Sequence, residues 1–315
     1  MNALMWRLHR NRVYLAGAAL AALTLVLLIT GIAMARDYHG FLISCAAAHS
    51  CGSATFRGAG GYINLLVYGT MVVPLLFGLF WGAPLLAREF EDGTHNLAWT
   101  QGVTRRRWLI RTVMWALLAA AVWAGAMAAL VSWWRLPDNA LGIPYSRFGP
   151  GLFDIQGIVP VAYSVFAVAL GIAAGSVLRR VVPAIATTFA IFVAARVAVV
   201  YLRPHYMPPI ARLFSFAQGP DAAPAGSWVV RSNAIIGPNG QNYGSISFPS
   251  SDQVPAACRA SMSASCLGSH GFRTLITYQP ASRFWAFQGI EAGIFIALAA
   301  ALVAVACRMV LTRDA

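Results

Sequence analysis

Arg88-Glu89-Phe90-Glu91-Asp92-Gly93-Thr94 leads through Trp99-Thr100-Gln101-Gly102 to Arg105-Arg106-Arg107. This stretch holds three of the ten acidic residues in the chain and four of its arginines, and on either side lies an apolar run long enough to cross a bilayer. A polar loop that dense cannot sit in hydrocarbon, so it faces water close to the lipid surface. Its order is acidic cluster, Gly-Thr break, apolar-polar segment, basic cluster. Asp92-Gly93-Thr94 offers a turn and an N-cap at Thr94 for a short helix through about Gln101. Glu89, Glu91 and Asp92 then precede that helix, where negative charge is favoured, and the arginines follow its C-terminal end. The stretch reads as the place where a membrane protein receives force from a soluble partner; an ordinary solvated loop is the alternative.

The rest of the composition fits that frame. Of 315 residues, 59% are hydrophobic and 10% charged, with a mean hydropathy of +0.65. Soluble domains carry about 25% charged residues, so the chain is an integral membrane protein. The net charge of +13 does not point to nucleic acid, because the basic residues fall at the ends of apolar runs. All 23 basic residues are arginine. Without lysine no Gly-x-x-x-x-Gly-Lys phosphate loop can exist, so any nucleotide hydrolysis belongs to another chain.

Six apolar runs predict an all-α polytopic protein: Val13–Met34, Ile63–Leu86, Trp108–Trp134, Ile158–Leu178, Val181–Leu202 and Phe284–Cys307. Residues 1–12 form a basic-aromatic interfacial segment, 13–202 hold the first five spans, 203–283 an outer cap, and 284–315 the last span and a tail. Pro74 and Pro84 are expected to kink the second helix. Gly78-x-x-x-Gly82 and Gly171-x-x-x-Gly175 permit close helix approach. With the N-terminus inside, twelve arginines lie on inner segments against four on the short outer loops, which puts both termini in the cytoplasm.

Four of the five cysteines then fall outside, and local pairing predicts disulfides Cys45–Cys51 and Cys258–Cys266, leaving Cys307 reduced within. A metal site from His39, Cys45, His49 and Cys51 fits no zinc spacing, so none is expected. Within the cap, strand-like pieces at Trp228-Val229-Val230 and Tyr243–Phe248 flank a hairpin turn at Gly237-Pro238-Asn239-Gly240. The cap carries no nucleophile elbow, zinc-protease motif or paired carboxylates, and no convincing nucleophile–base pair lies in the spans, so no enzyme is expected.

Two charges interrupt the spans, Arg196 in the fifth and Glu291 in the sixth. Each lies about seven residues, roughly 10 Å of helix rise, below the outer surface, and their equal depth predicts an ion pair. Separate snorkelling to the headgroups is the alternative.

The topology and two motifs together resemble the membrane subunit of a type-2 ABC exporter: the acidic–Gly-Thr run Arg88–Thr94, and Gln101-Gly102-Val103-Thr104-Arg105-Arg106-Arg107-Trp108 after it. The resemblance implies a bacterial plasma-membrane protein that pairs with a second permease subunit, identical or not. It implies two cytoplasmic ATPase subunits that hold the ATP and magnesium, with no cofactor on this chain. A coupling helix would span about Arg88 to Arg107, and the path would be lined mainly by the second and fifth helices. Asn64, Tyr68, Thr70, Thr187 and Thr188 are the polar candidates there. A cavity with few charges suits drugs, antibiotics or lipid-like cargo. The long outer segment, rich in Cys and Pro, departs from many members, so the outer gate is not carried over. The rival readings are a stand-alone secondary transporter or channel, and a membrane sensor or assembly factor whose cap binds a ligand.

Overall fold

The computed structural model describes residues 2–48, 62–91, 104–137, 147–149, 151–218, 222–244, 254–259 and 263–313. The chain divides into two compact units, one of Met1–Ala140, Gly151–Val197 and Gln288–Ala315, the other of Leu141–Pro150 and Ala198–Phe287.

Six helices among the described residues are long and apolar enough to cross a membrane. The first, α1, runs unbroken from Asn2 to Ala48. The expected boundaries at residues 13 and 34 fall inside this one helix, which no proline interrupts. Arg36, His39 and Cys45 ride on α1 instead of in a loop. The second span comprises α2 (Tyr62–Phe77), a π-helical turn (Gly78–Gly82) and α3 (Ala83–Glu91). The others are α4 (Arg105–Trp134), α6 (Val159–Leu178), α7 (Val181–Leu202) and α9 (Phe284–Arg313), with a four-residue helix, α5 (Leu152–Ile155), ahead of α6.

The first unit is organised around α6. Its apolar window is 78% buried, against 17% for the windows of α1 and α7, as expected of a helix that is apolar on every side. The two Gly-x-x-x-Gly motifs mesh with each other. Pro84 has no N–H to donate, and the π turn just before it absorbs the interruption with a wide bond from Ala83 N–H to Gly78 O. Gly171 sits directly over that bond: a Cβ there would come 2.4 Å from Ala83 N and 2.6 Å from Gly78 O. A Cβ on Gly78 or Gly82 would come 2.7 Å from the carbonyl oxygen of Ala167 or Val168. Leu86, Leu109, Val113, Val168, Ile172 and Val310 fill the adjacent core.

The second unit adds β-structure, so all-α describes the spans alone. Strands β1 (Ile210–Ser215), β2 (Trp228–Ile236) and β3 (Arg273–Gln279) form an antiparallel sheet in the order β1-β3-β2. Ile210 pairs with Tyr278, and Trp228 with Gln279, with two register shifts along β2. Gly237–Gly240 does form a turn, with Gly240 N–H bonded to Gly237 O at 2.9 Å. Beyond the turn, Tyr243 N–H donates to Ile235 O at 2.9 Å and Ile235 N–H to Gly244 O at 3.1 Å, while residues 245–248 of the expected strand lie outside the described residues; on its other side β2 pairs with β3. The Cys258–Cys266 disulfide links the segment before α8 (Ala264–Ser269) to that helix, over a small core of Ile235, Val254, Leu267 and Phe272. For the other expected pair, Cys45–Cys51, Cys51 lies outside the described residues.

Candidate functional site

The inner-loop stretch behaves differently from a free loop at both ends. Arg88, Glu89, Phe90 and Glu91 belong to the last turns of α3. Asp92, Gly93, Thr94 and the expected short helix lie outside the described residues. Glu91 is at the C-terminal end of its own helix, where a negative charge is disfavoured. It turns instead to the N-terminus of α7, and its Oε2 accepts the Val181 N–H at 3.0 Å. With Pro183 in that first turn lacking an N–H, an acceptor from outside is well matched to the end of α7. Beside it, the Arg179 guanidinium stacks 5.0 Å over the Phe90 ring. Arg179 caps α6 in the left-handed region, φ 55°, and is the one non-glycine residue with positive φ among the described residues. The end of the second span is thereby clamped to the link between the fourth and fifth.

Arg105, Arg106 and Arg107 form the first turn of α4, with Thr104 extended at its N-cap. Positive charge is unfavourable there by about 0.3–1 kcal/mol each through the helix dipole. Helix electrostatics therefore does not account for their placement.

The intramembrane charges come together in a larger constellation than the expected pair. Arg196 Nη1 lies 3.8 Å from Glu291 Oε1, but its nearer partner is Asp154, 2.9 Å from Nη2 to Oδ2 and 3.4 Å from Nη1 to Oδ1. The Tyr163 hydroxyl touches Asp154 Oδ1 at 3.2 Å and also meets Glu291 Oε1. Its ring lies under the guanidinium, 3.8 Å from Arg196 Cζ to the ring centroid. Asp154 and Glu291 are fully buried and the Arg196 side chain is 12% exposed. One turn before Glu291, Gln288 Oε1 accepts the Ile158 and Val159 N–H groups, both at 3.0 Å, and its amide donates to Phe153 O. That single amide closes the end of α5 and the start of α6. Four elements, α5, α6, α7 and α9, meet at this polar knot.

Sequence reasoning missed Asp154, Tyr163 and Gln288. Gln288 and Glu291, three apart, share one helix face, which is a readable signal. Asp154 sits in Gly151-Leu152-Phe153-Asp154-Ile155-Gln156-Gly157, between the third and fourth apolar runs, where a lone carboxylate among apolar neighbours names no partner.

Of the candidate lining residues, the four whose side chains are described sit in different surroundings. Thr70 borders a small groove with Pro74, Trp123, Met127 and Ser164. Thr188 instead bonds back to Ala184 O at 2.7 Å within α7, and Thr187 is half-buried. Tyr68 is 66% exposed on the bundle surface, and the Asn64 side chain lies outside the described set. In the cap, Cys258, Cys266 and His270 bring possible ligand atoms within 4.8 Å of one another, but the two sulfurs are bonded to each other.

A family profile described as ABC-2 membrane transporter related matches residues 17–203, more than half of the chain. The chain belongs to this family. As an ABC-2 membrane protein it is a multi-pass protein, consistent with its six spanning helices. The match covers the first five spans, including the Glu91–Val181 clamp, together with Asp154, Tyr163 and Arg196. No curated protein and no solved structure matches the chain.

Proposed function

We propose that the chain is the permease subunit of an ATP-driven exporter in a bacterial plasma membrane, moving an amphipathic or apolar cargo such as a drug, antibiotic or lipid-like molecule. Two cytoplasmic ATPase subunits bind the ATP and magnesium, a second permease subunit completes the path, and this chain hydrolyses nothing itself. Its family membership supports the class of protein. The observation that carries the coupling role is the Glu91 carboxylate on the Val181 N–H at 3.0 Å. It ties the start of the polar inner stretch to the first turn of the fifth span, so displacement of that stretch by a docked ATPase is passed to α7 without an intervening flexible segment. The twelve-to-four arginine bias supports a cytoplasmic position for this end of the bundle. Gentle solubilisation and pull-down test the reading: an ATPase subunit should co-purify, and ATP should be needed for cargo movement in sealed vesicles. Uphill transport by the purified chain with no ATPase present would refute it.

A second reading has a specific observation behind it. Two buried carboxylates beside an arginine, with Arg196 and Glu291 in spans and Asp154 just ahead of one, are the sort of group that ion-coupled secondary transporters use. The same vesicles separate the two, because that protein would respond to an imposed ion gradient and ignore ATP.

A further inference from the structure

We infer that Cys258, Cys266 and His270 form a redox-gated site for a divalent cation of the zinc kind. It is closed while the two sulfurs are joined and open once a dithiol reductant has parted them. The site lies wholly within the second unit and stands apart from the exporter reading.

Two short segments bring the three side chains together. Cys258 ends the turn Ala256–Cys258, where its own N–H donates to Pro255 O at 2.8 Å and Arg259 Nε donates to Val254 O at 3.2 Å. Cys266 lies in α8, which the Ser263 side chain caps, and His270 follows four residues later, one turn along the same face. Val254, Leu267 and Phe272 are buried in the core beneath. None of these contacts runs through a sulfur atom, so they remain when the disulfide is opened.

His270 Nδ1 stands 3.4 Å from Cys258 Sγ and 3.9 Å from Cys266 Sγ. Zinc bonds of about 2.3 Å to sulfur and about 2.0 Å to nitrogen, at a tetrahedral angle, put the two ligand atoms about 3.6 Å apart. The imidazole is thus already at ligand spacing from both sulfurs. Two thiolates on one ion lie about 3.8 Å apart, which Cα atoms 5.7 Å apart allow by side-chain rotation. Three protein donors leave one tetrahedral position for water. In the disulfide form the Nδ1 proton is also engaged, donated to Cys266 O at 2.9 Å. When an ion takes Nδ1, that proton sits on Nε2 of an exposed ring.

Exposure sets the order of opening. Cys266 is part-exposed and Cys258 is buried. A thiolate of the reductant attacks Cys266 Sγ, the S–S bond breaks, and Cys258 leaves as thiolate. The second reductant thiol then releases Cys266 and closes the reductant's own disulfide, so two electrons and two protons pass to this chain. The ion displaces the two thiol protons, which go to water.

Cobalt titration of the purified full chain, before and after reduction with a phosphine that adds no competing thiol, tests the site. Only the reduced chain should show the thiolate-to-cobalt absorption, at one ion per chain, and zinc should displace it. Cys258→Ser and Cys266→Ser should each abolish it. His270→Ala should weaken binding at least about tenfold, while the melting midpoint of the unreduced protein stays close to wild type. The inference is overturned if the reduced chain gives no such band, if the band appears without reduction, or if it survives in Cys266→Ser. Equally tight binding by His270→Ala would overturn it too.

Discussion

Gly171 faces Ala83 so closely that a side chain at Gly171 would press on the main chain: a Cβ would stand 2.4 Å from the Ala83 nitrogen. The neighbours are backbone atoms on both sides of a hydrogen bond, so they cannot swing aside as a flexible side chain would.

Gly171→Ala is therefore expected to separate α6 from α3 and to cost at least the ~1–3 kcal/mol typical of overpacking. Thermal melting in detergent should show a clear fall in midpoint. Gly293→Ala is the control, since nothing lies within 4 Å of its added methyl. There the better helix former should leave stability unchanged or slightly raised, by up to about 1 kcal/mol.

At the polar knot, Arg196→Ala removes a cation that two buried carboxylates share, and Asp154→Ala removes the nearer of the two from Arg196. Breaking a buried pair from one side costs roughly 3–5 kcal/mol. Each single variant should lose most of its folded yield. The double variant should lose clearly less than the sum, by about 1–3 kcal/mol in a melting cycle. Additive losses would mean that the two side chains do not depend on each other.

Glu91→Gln keeps an oxygen for the Val181 N–H, whereas Glu91→Lys removes the acceptor and puts a cation at a helix N-terminus. In vesicles carrying the chain and its ATPase, Glu91→Gln should retain most ATP-driven transport. Glu91→Lys should lose it several-fold while ATP hydrolysis continues or the ATPase falls away. Undiminished transport with Glu91→Lys would reduce the stretch to a solvated connection.

The disulfide closes a loop whose ends are 8 residues apart in sequence. Replacing both Cys258 and Cys266 by serine should cost the cap about 2–3 kcal/mol by the loop-entropy relation. Faster protease cleavage between residues 203 and 283 should report it, with the spans left intact.

The spans were legible because hydropathy over some 20 residues is a property of the chain itself. The paired glycine motifs and the charges at Arg196 and Glu291 could be seen for the same reason: each is anomalous in its own window. Asp154 could not be found that way, because what matters about it is that α5 folds inward to meet α7 and α9. Glu91 was visible as a charge but its partner was not, since a backbone N–H ninety residues away leaves no mark in composition. In the cap the turn at Gly237–Gly240 was readable, but the pairing of β2 with β3 was not, because it depends on a contact across a long stretch of chain.

Only Arg179 and Arg180 stand between α6 and α7, and the left-handed bend at Arg179 takes up one of them. A joint that short has no lost motion. From Val181 to Arg196 the fifth span is a stiff rod of roughly 22 Å at 1.5 Å per residue. Phe90 and Glu91 grip it at one end and Asp154 holds it at the other. A tug at the water-facing joint thus has to arrive at the buried arginine almost undiminished, as a crank turns its far bearing.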